Sequence, residues 1–341
     1  AVAGTVDAGQ RGGAFSAAFD VADAFNPQSS LIPITRVAGV TRAVVLPYAE
    51  WPDEHGVGGQ VMSGSAAVGH LGDSDDYLVL RKAAMVAHVG ERGGMLAGGS
   101  RAAALLALTS ALEDAIDYAQ FRDAFNAGAR REYSVSRADL DALQTVISGE
   151  TPLFLSVDRA SDIRVAIELA DRFGLKLIVV GGAEAWQVAD RLAASNTPVI
   201  ISPLSNLPRS FDLLSATLQN ARLLNEAGVR VIISDGDTHN ARNLRQLAGN
   251  AVAHGGRWSE GRGAITATPA DVRGVGDKFG RLAPGMVADV VVWDADPLEL
   301  GSYPEHVFIE GNEMPRETRQ TLLRDRYLDR DNAAQPAYRN R

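Results

Sequence analysis

The stretch VRVIISDGDTHNAR, Val229 to Arg242, places two carboxylates and an imidazole directly behind an apolar run. Asp235, Asp237 and His239 are residue types that ligate a divalent ion, and residues two apart in a tight turn can share one. Without that chemistry the same residues form a solvated turn, with Asp235 capping the loop after a strand. His88, in AAMVAHVGE, ends a second apolar run and either faces a pocket or packs as a hydrogen-bonded core histidine. Asp158 and Arg159 follow a third run, LFLSV, as a substrate-facing pair or as an ion pair with a neighbouring loop. Glu184, in GGAEAW, suits the start of a helix, where the macrodipole favours a carboxylate. Asn206, in NLPRS, belongs to a strand-end loop lining a pocket mouth. Gly181 and Gly182 are not a phosphate loop, because neither glycine-rich phosphate signature surrounds them. The SGS at Ser63 to Ser65 lacks the strand, elbow and helix of a serine-hydrolase nucleophile.

These residues need a scaffold, and Thr151 to Gly255 supplies a regular one. TPLFLSV, LKLIVV, TPVIIS and VRVIIS are short runs that are apolar almost throughout. RASDIRVAIELADRFG, AEAWQVADRLAASN, FDLLSATLQNARLLNEAG and ARNLRQLAGNAVAHG alternate with them at helical spacing, and Ser161 or Asp162 is expected to cap the first. Apolar strands alternating with amphipathic helices imply a parallel sheet covered on both faces. GVTRAVV, GLKLIVV and GVRVIIS form a weak internal repeat, in which a glycine ends a helix and a strand follows. The repeat predicts a further helix–strand unit near the amino terminus, SSLIPITRVAG then VTRAVVLP, with Pro33 in the first helical turn. Residues 56–76, rich in Gly and Ser, read as a long loop with an irregular strand, and LVLRKAAMVAHVG as another strand. Two helices are expected near 100–148, the second opening near Ser136 or Asp139. Residues 263–315 read as a last helix and short antiparallel strands, and 316–341 as a charged, partly helical tail.

The 341 residues suit one large α/β barrel or two domains. With 46% hydrophobic and 22% charged residues the composition is that of a soluble globular protein. A net charge of −9 argues against nucleic acid as a partner, since neutralising phosphates needs a basic face. No apolar run approaches the ~20 residues of a membrane helix. The chain has no cysteine, which excludes disulfides, zinc–thiolate sites and cysteine nucleophiles. It opens on Ala1 rather than Met, read either as a cleaved export signal or as a fragment lacking part of its fold.

The segment AITATPADVRGVGDKFGRLAPGMVADVVVWDADPLEL, Ala264 to Leu300, resembles the amidohydrolase superfamily, and within it the imidazolonepropionase-like branch. AITATPA opens a helix, GRLAPGMVADVVV forms a hairpin and DPL a turn, and the likeness extends from about Asn26 to Gly311. It implies a (β/α)8 TIM-type barrel over 1–262, with a helical insertion near 100–148 and a small β-sandwich beside it. GVTRAVVLP and VRVIISD would be its second and last strands. The resemblance also implies a hydrolase acting on carbon–nitrogen bonds of a small-molecule substrate. Its divalent metal, zinc, lowers the pKa of bound water, and a carboxylate moves the proton.

Carried over by position, Asp235 matches the Asp of the eighth strand, a metal ligand and catalytic base. The fifth-strand His falls at Ser156 and the sixth-strand His at Gly181. The first-strand His-x-His pair would precede Ala1. None of the six histidines, His55, His70, His88, His239, His254 and His306, stands two from another. The resemblance therefore implies a metal site largely lost, with Ser156, Gly181, Asp158, Arg159, Glu184, His88 and Asn206 around a substrate pocket. A non-catalytic subunit that binds a small molecule, or pairs with an active relative, is the alternative. A barrel without its first strand leaves open edges, so a longer chain, an oligomer or a partner chain is expected to cover them.

Overall fold

The computed structural model describes residues 8–328 apart from 11, 14, 55–57, 75, 206, 209, 235 and 237. In chain order, β1 (Gly9–Gln10) precedes α1 (Leu31–Arg36), β2 (Arg42–Val45), β3 (Tyr48–Ala49), β4 (Met62–His70) and β5 (Leu78–His88). Helices α2 (Gly90–Leu96), α3 (Arg101–Asn126) and α4 (Arg137–Ile147) follow. Strands then alternate with helices: β6 (Leu153–Val157), α5 (Ala160–Phe173), β7 (Leu177–Gly181), α6 (Ala189–Ala194), β8 (Val199–Ile201), α7 (Asn220–Glu226), β9 (Val231–Ile233), α8 (Leu244–Ala253). The chain closes with α9 (Trp258–Ala264), α10 (Ala267–Val272), β10 (Val290–Trp293), β11 (Pro304–Ile309), β12 (Asn312–Glu313) and α11 (Arg319–Leu328).

One seven-stranded sheet runs in the order β2-β4-β5-β6-β7-β8-β9. From β5 to β9 all pairs are parallel, whereas β2–β4 and β4–β5 are antiparallel. The alternation of apolar residues divides the core by face. Leu153, Leu155 and Val157 of β6 pack with Ile163, Ala166 and Ile167 of α5 on the helix-covered side. Phe154 packs with Ala84, Val86, Ile178, Ile200 and Ile232 on the other side. The sheet curls around that second cluster, because α1, which leads into one edge strand, contacts the turn Ala241–Asn243, which follows the other. Arg273, just after α10, lays its guanidinium 3.8 Å over the Phe154 ring, and burial lowers its pKa to about 9. Among the described residues no single helix is long and apolar enough to cross a membrane.

The amino-terminal third departs from expectation. TRAVVLP supplies an edge strand antiparallel to β4 rather than a parallel barrel strand. Within residues 56–76, read as a long loop with an irregular strand, the strand takes up residues 62–70 and is buried throughout. Its Gly, Ser and Ala content reflects close approach: a β-carbon on Gly64, where φ is +113°, would lie 2.2 Å from the Phe19 carbonyl oxygen. Helix α5 starts at Ala160 with Arg159 before it, so neither Ser161 nor Asp162 caps it. FDLLSATLQNARLLNEAG is helical only in a short 3-10 turn, Phe211–Leu213, and in α7. Helices α3 and α4 pack on each other, and Ser136 and Asp139 form a capping box at the start of α4. The appended strands β10, β11 and β12 form a single antiparallel sheet, tied to β2 by Arg42 Nε and Asp289 Oδ2 at 2.5 Å.

Candidate active site

The carboxyl ends of parallel strands in a barrel are where loops bring side chains together. His88, Ser156 and Val180 stand in one register across β5, β6 and β7. Strand alternation puts Ser156 on the side of Phe154 and His88 on the side of Val86, so both face the concave side. Ser63 Oγ lies 2.7 Å from His88 Nε2, and both residues are buried. Ser63 reaches the imidazole because the β4–β5 register shifts between Met62 and Gly64, a bulge that re-aims one side chain. Burial, with the Arg92 guanidinium adding to it, lowers the His88 pKa to about 3, so the ring is neutral near pH 7. Its Nδ1 is buried with no hydrogen-bond partner among the described residues.

The loops behind the strands are held by carboxylates. Asp158 Oδ1 accepts from Ala183 N at 3.2 Å, and the Asp158 carbonyl accepts from Glu184 N at 3.0 Å. Glu184 is buried, with Oε2 accepting from Ala160 N at 3.1 Å and Oε1 from Ser215 N at 2.9 Å. It therefore serves the first N–H of α5, the preceding helix, and not the helix that follows it in sequence. Arg159 Nη2 reaches Asp212 Oδ1 at 3.0 Å and the Phe211 carbonyl at 3.1 Å. Buried Asp212 also pairs with Arg101 and accepts from Glu91 N at 2.8 Å. Sequence reasoning missed Asp212, because FDLL reads as the start of a helix, and it discounted Ser63 for want of an elbow.

Gly181 has φ +98°, and a β-carbon there would lie 2.6 Å from Asp158 Oδ1. The Asp158 carboxylate thus fills the space into which a longer side chain at 181 would project. His239 is exposed in a turn. Asp235, Asp237 and Asn206 lie outside the described residues, so the structure does not test the expectation of a local Asp235–Asp237–His239 metal group.

Among the described residues no three His, Asp or Glu side chains converge as ligands for a metal ion. His88 Nε2 is engaged by Ser63, Ser156 offers only a hydroxyl and Gly181 nothing. Zinc prefers three or four imidazole, thiolate or carboxylate donors, and the described donor set does not fit it. What this arrangement offers is a neutral imidazole and a serine hydroxyl at the mouth of a curled sheet, framed by loops pinned through buried carboxylates.

Comparison with known proteins adds the lineage. An amidohydrolase from Thermotoga maritima MSB8 superposes with a TM-score of 0.80 at 24% identity, over 91% of this chain and 81% of that one, and shares its fold. The Amidohydrolase tasK of Hapsidospora irregularis is 23% identical over 189 residues, 54% of this chain. The match takes in only 19% of that protein's length. The model of the Amidohydrolase family, whose members are generally metal-dependent, matches residues 99–318, well over half of the chain. The chain therefore belongs to the Amidohydrolase family.

Proposed function

We propose that this chain is an amidohydrolase-like hydrolase acting on a carbon–nitrogen bond, non-peptide or cyclic, in a small molecule bound at the barrel mouth. In this reading the metal site is largely lost, and Asp235 is the remaining base. A carboxylate there takes a proton from the attacking water and returns it to the leaving nitrogen as the C–N bond breaks. Family membership supports the reaction class. The observation that carries the reduced site is Gly181, where Asp158 Oδ1 would meet a β-carbon at 2.6 Å. Imidazolonepropionase-like cyclic amides are the first substrates to try. The same reading completes the (β/α)8 barrel with a strand from outside this sequence, or from a partner chain, and gives β10–β12 the rest of a small sandwich.

Two measurements test it together: metal content of the purified protein, and hydrolysis of a panel of cyclic and acyclic amides by wild type and Asp235→Asn. Turnover that drops about a hundredfold or more in the variant supports the assignment. Turnover unaffected by the change removes Asp235 as base, and stoichiometric zinc sinks the reduced site. The Gly181–Asp158 arrangement also favours a second reading, a non-catalytic subunit that binds a small molecule or pairs with an active amidohydrolase chain. Silence across the panel, with saturable binding of one of its amides, selects that reading.

A further inference from the structure

A cleft of about 290 Å³ opens at the other end of the sheet, against the starts of β2 and β5 and the segment between α10 and β10. That is the lower limit of the ~300–1,000 Å³ typical of ligand pockets, so it suits a molecule of few atoms. His88 ends the strand that Leu78 begins, which puts the cleft roughly 30 Å from the barrel mouth at ~3.3 Å per residue. Leu78, Val79 and Phe279 give it an apolar wall, while Lys278 and Asp76 line it with opposite charges. Neither the Lys278 ammonium nor the Asp76 carboxylate has an ion-pair or hydrogen-bond partner among the described residues, and they do not pair with each other. Arg42 also lines the cleft. Its Nε and Nη2 are taken by Asp289 and Glu310, but its Nη1 is buried with no partner among the described residues.

Two details hold the frame in place. His70 accepts from Gly72 N at Nδ1, so its Nε2 carries the proton and donates to the Asp76 carbonyl at 2.6 Å. The Phe279 ring is stacked 4.1 Å under the Arg42 guanidinium, which fixes one wall.

We propose that this cleft binds a small zwitterion, an α-amino acid with an apolar side chain. Its carboxylate meets Lys278, its ammonium meets Asp76, and its side chain lies on Leu78, Val79 and Phe279. A ligand with one charge leaves the opposite wall uncompensated, which is how complementary charges confer specificity. The proposal is independent of any hydrolysis at the strand ends.

Calorimetric titration of the full chain with L-leucine, N-acetyl-L-leucine and L-leucinamide tests it. L-leucine is expected to bind saturably, and each single-charge analogue about tenfold or more weaker. Lys278→Met is expected to remove the advantage of leucine over leucinamide, and Asp76→Asn its advantage over N-acetyl-leucine. Both side chains are exposed, so the variants keep the fold, and matching thermal melts check this. No saturable binding of L-leucine below about 10 mM overturns the proposal. So does equal binding of the three probes, or binding indifferent to both substitutions.

Discussion

At position 181 a β-carbon would press on a carboxylate, and the backbone there is left-handed. We predict that Gly181→Ala lowers unfolding free energy by about 2 kcal/mol in urea melts, part from the left-handed φ and part from displacing Asp158. Adding Asp158→Gly should recover only the steric part. His88 makes a prediction about acid. Its pKa is about 3 in the folded protein against 6.5 in a free chain, so the unfolded state binds the proton more tightly between those values. The stability it contributes is complete above pH 6.5 and is lost as pH falls towards 3. His88→Asn should therefore lose about 2–3 kcal/mol less than wild type when urea melts at pH 7 and pH 4.5 are compared.

Among the elements, the loop after β8 has its own anchor. Asp212 joins Arg101, Arg159 and the Glu91 amide, while Phe211 and Leu214 on either side of it are exposed. Asp212→Asn weakens charge-assisted bonds of about 1.5–3 kcal/mol each. It should speed amide exchange across residues 211–216 while β6 and β7 keep their protection. The strands from β6 to β9 were legible because both faces are buried, so nearly every residue is apolar. The strand β4 was legible only as an irregular strand within a loop, since close approach selects Gly, Ser and Ala, which composition reads as a loop. The strand in TRAVVLP was legible but its direction was not, because an apolar run carries no sign of a parallel or antiparallel neighbour. The positions of Ser156 and Gly181 at strand ends followed from the alternation of apolar runs with helices, and the resemblance singled them out. Asp212 stayed hidden because it acts on residues more than fifty positions away.

The whole molecule carries the metal question. On the reduced-site reading, dialysis against EDTA should leave Tm unchanged within about 1 °C. An ion present at 100 times its Kd contributes about 2.7 kcal/mol, and losing it would shift Tm by several degrees. A drop of that size would mean that ligands outside the described residues complete a working site. The clamp between Arg42 and Asp289 has a further consequence, in the time the chain takes to emerge. The two residues are 247 positions apart and nearly buried together. At about 5–20 residues per second, the arginine waits roughly 10–50 s on the ribosome for its partner. Until then the arginine side chain lacks the carboxylate that neutralises it near the core, and a transcript cut short before codon 289 would leave it so for good.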